Sequence, residues 1–195
     1  MNRLLLATRN SHKTREFAEI LGGDFEVRDL SGESEAPVVE ETGATFAENA
    51  ILKAVAISRR FSGLVVADDS GLEVDALNGA PGVYSARYAG ANATDKENIA
   101  RLLSELGDCR EAPLFAARFR CVLALARDGA LLGTFDGVVE GTIIEAPRGG
   151  SGFGYDPVFQ PLESTKTFGE MPAEEKNRIS HRARALQALR VKLAE

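Results

Sequence analysis

Leu64-Val65-Val66-Ala67-Asp68-Asp69-Ser70-Gly71 joins a short apolar run to two acids, a hydroxyl and a glycine. The run reads as a buried strand that ends at the acids. In open α/β folds, sites lie at the carboxyl ends of strands, so this pattern delivers two carboxylates to such a site. Adjacent carboxylates repel unless a cation offsets them, and no basic residue neighbours them in the chain. A divalent metal is the expected cation, and oxygen ligands favour Mg²⁺. A solvated acidic turn is the competing reading, because Asp, Ser and Gly are ordinary turn residues.

On the N-terminal side, Arg3 to Ala7 reads as a first, central strand, followed by the polar turn Thr8 to Lys13. A helix is expected from about Ser11 to Leu21, with Phe17, Ile20 and Leu21 on one face and Gly22-Gly23 as its stop. Strand, polar loop and helix N-terminus in that order favour an anion, through free backbone N–H groups and the helix dipole. Lys13 in the first turn opposes the dipole and is better explained by a phosphate. Phe25 to Leu30 reads as a second strand, and Ser31 to Glu41 as an acidic loop. Thr45 and Glu48 form a capping box for a helix reaching about Arg60, which gives Glu48 a structural role. Glu40 and Glu41 precede that cap and are freer to reach a metal.

On the C-terminal side, Leu72 to Leu77 reads as a separate strand. Thr94 and Glu97 cap a helix with Ile99, Leu102, Leu103 and Leu106 on its apolar face. Two long strands follow, Phe115 to Leu125 and Leu131 to Ile144, joined by the hairpin signal Asp128-Gly129. Cys121 falls on the inward face and reads as core. Gly133, Gly137 and Gly141 mark bulges or close backbone approach. The glycine-rich segment Pro147 to Pro157 carries Phe153 and Tyr155, either of which suits stacking on a planar ring; core aromatics in a long connection are the alternative. Lys176, His181 and Arg182 cluster near the start of the last helix, where they suit an anion or an oxo-substituted base, or form a solvated basic turn.

With 195 residues, 44% hydrophobic and 27% charged, the chain has the composition of a soluble globular protein of one domain or two closely joined lobes. A net charge of −6 disfavours nucleic-acid and membrane-surface binding. No apolar run approaches the roughly 18 residues that would span a bilayer. The N-terminus reads as a strand, not a signal peptide. Cys109 and Cys121 lack metal-type spacing and suit a reducing, cytoplasmic compartment. There are no repeats, and the Gly-x-x-x-x-Gly-Lys-Ser/Thr P-loop is absent.

Together these segments resemble the inosine triphosphate pyrophosphatase family, which acts on non-standard purine nucleoside triphosphates. The likeness rests on Ala7-Thr8-Arg9-Asn10 with Lys13 and Glu16, Glu41-Thr42-Gly43 through Thr45-Phe46, Glu48-Asn49-Ala50 and Lys53-Ala54, and Ala67-Asp68-Asp69-Ser70-Gly71-Leu72. It continues through Gly79 to Tyr88, Pro147-Arg148-Gly149, Gly152 to Phe159, and Glu175-Lys176-Asn177 with Ile179-Ser180-His181-Arg182. The segments run in family order from residue 7 to residue 182.

The resemblance implies an α/β fold, elongated and two-lobed, around a long twisted mixed sheet flanked by helices, with the active-site cleft between the lobes. It implies one pyrophosphatase domain over residues 1–195, usually a homodimer, with no nucleic-acid or membrane partner. The implied reaction is Mg²⁺-dependent hydrolysis of ITP, dITP and XTP to the monophosphate and pyrophosphate, which removes them before incorporation into DNA or RNA. Asp69 carries over as general base and metal ligand, with Glu40 favoured over Glu41 as the second metal ligand. The triphosphate contacts fall within Thr8, Arg9, Asn10, Ser11, His12 and Lys13, and Ser70 is a further substrate contact. Phe153, Gly154, Tyr155, Asp156, Lys176, His181 and Arg182 carry over as nucleotide and base contacts. Arg9 stands where many relatives have glycine, and His12 where small residues or lysine are frequent. Two rival readings are a house-cleaning pyrophosphatase for other modified nucleotides and a nucleotide-binding regulator without turnover. The intact acid pair argues against the regulator.

Overall fold

The computed structural model describes residues 2–107 and 115–194. It is an α/β protein with a six-stranded mixed sheet in the order β2-β1-β3-β4-β5-β6. The strands are β1 (Asn2–Leu6), β2 (Phe25–Asp29), β3 (Leu64–Val74), β4 (Phe115–Arg127), β5 (Ala130–Ile143) and β6 (Phe159–Pro161). Helices α1 (Ser11–Leu21), α2 (Phe46–Ser58), α3 (Asp95–Gly107), α4 (Ala173–Ile179) and α5 (His181–Leu193) accompany them. By contact the chain forms two compact units. The first comprises Met1–Asp69, Cys121–Gly137 and Arg182–Glu195, and the second Ser70–Arg120 and Val138–His181.

In the first unit, β1 pairs in parallel with β2 and with the start of β3, with Leu4 opposite Leu64 and Leu6 opposite Val66. Leu4, Leu6, Val66, Cys121, Leu123 and Leu125 meet Phe17 and Leu21 of α1 and Leu186 and Leu189 of α5 in one core. Helix α1 has the expected bounds. Asn10 caps its start, and Gly22 ends it with φ of 65°, a conformation glycine adopts without a Cβ penalty. Asp128 and Gly129 turn β4 into β5 with φ of 52° and 80°, as a type I′ hairpin requires.

In the second unit, Leu72, Val74, Ala117, Phe119, Val139 and Ile143 pack against Ile99, Leu102 and Leu106 of α3 and against Phe159 and Phe168. Gly141 shows the expected close approach. A Cβ there would lie 2.5 Å from the Gln160 carbonyl and from the Phe159 ring. Gly141→Ala is expected to lower stability by about 1–3 kcal/mol through overpacking, read as a lower urea midpoint with unchanged slope.

Two sequence expectations are corrected. Leu64–Ala67 and Leu72–Leu77 are not separate strands. Leu64 to Val74 form the single β3 and Asp75–Leu77 is a short 3-10 turn after it, so Asp68 and Asp69 lie inside a strand rather than in a turn. Burial continues through the acids to Leu72 and Val74, which holds the backbone extended. Burial in β4 alternates only up to Arg120, and Cys121 to Ala126 are all buried, so that half of the strand is covered on both faces. Cys121 is a buried free thiol, as its position implied, whereas Cys109 lies outside the described residues.

Candidate active site

The parallel pairing ends at Leu6 and Val66, and the chain turns from β1 into α1 there. Asp68 and Asp69 follow just beyond on β3, at the carboxyl end of the parallel strands. They are 2% and 6% exposed, so the solvated-turn reading fails. Their cations come from elsewhere in the fold. Lys13 pairs with Asp68 Oδ1. Arg182, 1% exposed, donates from Nε to Asp68 Oδ2 at 2.8 Å and also pairs with Glu16. Cys121 Sγ lies 3.2 Å from Asp68 Oδ2. Lys53 Nζ, on α2, bridges Glu41 Oε1 at 2.8 Å, Asp69 Oδ1 at 3.0 Å and the Asp68 carbonyl at 2.9 Å.

The two aspartates are therefore driven apart in basicity. Burial pushes Asp68 up, but Arg182 and Lys13 outweigh it and hold the carboxyl well below the usual range. Burial raises Asp69, Lys53 and Lys13 offset only part of that, and Glu41 adds to it, so Asp69 is raised. Asp68 is a fixed anion, and Asp69 is the better proton acceptor. Neighbouring carboxyls with opposed shifts are what acid–base assignments rest on.

In this group Lys13, Lys53 and Arg182 face Asp68, Asp69, Glu16 and Glu41, three cations to four carboxylates. Side chains thus supply much of the neutralisation that adjacent acids require. Asp69 Oδ2 is nevertheless buried with no hydrogen-bond partner among the described residues. Glu41 is engaged by Lys53, whereas Glu40 is exposed. Among the described residues no three His, Cys, Asp or Glu side chains form a metal cage. This donor set fits Mg²⁺, which takes one or two carboxylates and completes its shell with water and phosphate oxygens.

The expected phosphate loop is built differently from the sequence reading. Asn10 Oδ1 accepts from His12 N–H at 2.9 Å and Lys13 N–H at 3.3 Å, so those donors of α1 are capped rather than free. Thr8 Oγ1 accepts from Asn10 N–H at 3.1 Å, which fixes the turn. Arg9 reaches across to the Ala36 carbonyl at 3.0 Å, and Ser11 and His12 are exposed.

The second unit holds a separately built cluster. Lys176, 4% exposed, pairs with Asp156 Oδ2 at 2.6 Å and lies 5.0 Å from the Phe153 ring centroid. Asp156 Oδ2 also accepts from Phe153 N–H at 2.9 Å. A Cβ on Gly152 would lie 1.9 Å from that oxygen, so a glycine there makes room for the carboxylate. Gly154 N–H donates to Asp95 at 2.7 Å. Tyr155 is buried, and its hydroxyl donates to the Ser85 carbonyl at 2.9 Å, so the core reading of this aromatic holds for its ring. Phe153 is half-buried and keeps a partly open ring. His181 stacks on Phe119 at 4.8 Å and 13°. Ser70 is half-buried on β3. Lys176, His181 and Arg182 are all buried, which removes the solvated basic turn.

Sequence reasoning assigned no role to Lys53 or to the Glu16–Arg182 pair. A signal for Lys53 existed. It neighbours Ala50, Ala54 and Ile57, the buried stripe of α2, where an unpaired lysine would be costly.

The sequence model of the Ham1 family matches residues 4–192. A dITP/XTP pyrophosphatase of Geobacillus kaustophilus is 53% identical over 190 residues, covering 97% of this chain and 93% of the relative. That of Bacillus subtilis is 48% identical over 190 residues, covering 97% and 96%. A HAM1 protein from Coxiella burnetii superposes with a TM-score of 0.88 at 43% identity, covering 100% of this chain and 99% of the other. The Staphylococcus aureus Ham1 protein gives 0.86 at 41% identity, covering 99% and 98%.

Proposed function

The chain belongs to the Ham1 family, and from that premise we propose that it hydrolyses ITP, dITP and XTP to the nucleoside monophosphate and pyrophosphate. The buried Asp68–Asp69 pair, with Asp68 held by Lys13 and Arg182 and Asp69 keeping one oxygen unpartnered among the described residues, carries the reading. A nucleoside triphosphate brings about four negative charges, and hydrolysis at the α-phosphorus needs an aligned water, a base and charge stabilisation. Asp69 accepts the proton of the attacking water through its unpartnered Oδ2. Lys53 holds Asp69 Oδ1, which leaves Oδ2 as the oxygen that takes the proton. Lys13, with Thr8 to His12 around it, offsets phosphate charge, and Asp68, itself paired with Arg182, holds Lys13 in place.

Mg²⁺ held by Asp69 and Glu40 would lower the pKa of a water and offset charge on the leaving pyrophosphate. Glu40 is the better candidate of the two acids because Lys53 already engages Glu41. In the second unit, Phe153 offers a ring face, and Gly154, Tyr155, Asp156 and Lys176 shape the nucleotide contact around it. Hypoxanthine and xanthine present an acceptor at C6 where adenine presents a donor. Donors from His181 and the backbone therefore reject adenine. Guanine carries a donor amino group at C2 and is refused by a donor or close backbone there.

The test is phosphate release with added inorganic pyrophosphatase from ITP, dITP, XTP, ATP and GTP in Mg²⁺. ITP, dITP and XTP are expected to give a signal that depends on the added enzyme, with ATP and GTP lower by about 100-fold or more. Equal turnover of GTP overturns the base reading, and no release from any substrate overturns the activity. A homodimer and a cytoplasmic location are part of the same proposal. No helix among the described residues is long and apolar enough to cross a membrane. Sedimentation of the purified chain decides the dimer.

A further inference from the structure

Asn49 precedes Lys53 by one turn of α2, so the two side chains share a face. Asn49 is 0% exposed, and its Oδ1 accepts from Gly43 N–H at 2.8 Å. Because Gly43 N–H is a donor, the amide is fixed with oxygen towards Gly43. Its Nδ2 is then left buried without a hydrogen-bond partner among the described residues. An apolar side chain would avoid that unmatched donor but would lose the bond to Gly43.

Gly43 lies in the segment that carries Glu40 and Glu41 and belongs to no helix or strand. That segment is tied to the first turns of α2 at successive residues. Gly43 N–H meets Asn49, Ala44 N–H donates to Glu48 Oε2 at 2.7 Å, and Thr45 Oγ1 accepts from Glu48 N–H at 3.2 Å. The approach is close: a Cβ on Gly43 would lie 2.6 Å from Glu48 Cβ and 2.7 Å from Asn49 Oδ1. One turn further along, Lys53 holds the Glu41 carboxylate and Asp69 together. Helix α2 thus grips the backbone of the acidic segment with Asn49 and its side chain with Lys53.

We propose that Asn49 is a positioning residue for the reaction: through Gly43 it fixes where Glu40 and Glu41 stand relative to Asp69. The proposal rests on the reading of those acids as the metal-binding end of the site. Outer partners that orient ligands of a metal change its affinity by about 10–100-fold when removed.

Two measurements test it together: amide exchange at Gly43 by ¹⁵N-resolved NMR, without metal or substrate, and the Mg²⁺ concentration for half-maximal turnover of XTP. In the wild type Gly43 is expected to be protected although it lies outside helix and strand. Asn49→Ala is expected to speed exchange at Gly43 while Ala54 and Ile57 stay protected. It also raises the Mg²⁺ requirement by about 10–100-fold, with KM for XTP at saturating Mg²⁺ within about twofold. Asn49→Asp, which keeps an acceptor for Gly43, retains the protection. An unprotected Gly43 in the wild type overturns the proposal even if Asn49→Ala does not fold. Faster Gly43 exchange with an unchanged Mg²⁺ requirement also overturns it, because the bond is then only structural. A wild type indifferent to Mg²⁺ overturns the metal reading itself, and this inference with it.

Discussion

Asp69→Asn is expected to lower kcat for XTP by about 10²- to 10⁴-fold, the range for loss of a positioned general base. The substitution preserves shape and an acceptor for Lys53 Nζ, which lies 3.0 Å from Asp69 Oδ1. It removes the one property that Asp68 cannot replace. Asp68 is a neighbour in sequence and equally buried, yet Arg182 and Lys13 hold it as a fixed anion of low basicity. The proton therefore has a single destination. KM is expected to change much less than kcat, because Lys13, which meets the phosphate charge, is the same in both proteins. Steady-state kinetics at saturating Mg²⁺, with thermal melting as a check on folding, decide the matter. A kcat within about threefold of wild type, in a variant that melts normally, would remove Asp69 from the base role.

Local features of the fold were legible because local chemistry specifies them. Asn10, the apolar positions of α1 and Gly22 define that helix without outside help. Asp128-Gly129 marks the hairpin because few other pairs adopt two positive φ angles in succession. The continuity of β3 was not legible. Asp, Asp, Ser and Gly favour a turn in isolation, and only pairing within the sheet and burial of Leu72 and Val74 hold them extended. The same distance effect governs the site. The acids were visible as a dipeptide, but their cations lie 55, 15 and 114 residues away, at Lys13, Lys53 and Arg182. A chain read locally shows two acids with nothing beside them and points to a metal. The folded chain shows a charge cluster nearly balanced by side chains, with one carboxylate oxygen left over. The role of Gly152 was equally hidden: it makes room for the Asp156 carboxylate, a contact that only the folded chain brings about.

Arg182→Met is expected to cost about 3–5 kcal/mol of stability, the scale for removing one partner of a buried ion pair. Methionine replaces much of the volume, so the loss is electrostatic rather than a cavity effect. Arg182 touches both Asp68 and Glu16, and the guanidinium fork reaches two carboxylates at once. Arg182→Lys, with a single ammonium, is expected to recover only part of the loss. The pH dependence separates this account from simple misfit. In the wild type the pKa of Asp68 lies well below its ordinary value of 3.8. Its contribution is present above that value and is lost as pH falls through the lower, folded one. Without Arg182, burial is opposed by Lys13 alone, and the folded pKa of Asp68 rises. Acidification then relieves a buried charge in the variant while wild-type Asp68 stays ionised. Urea midpoints for both proteins at about pH 7 and about pH 4.5 are expected to draw together at the lower pH. A gap that stays constant would assign the cost to packing, and one that widens would reverse the sign of the Asp68 argument.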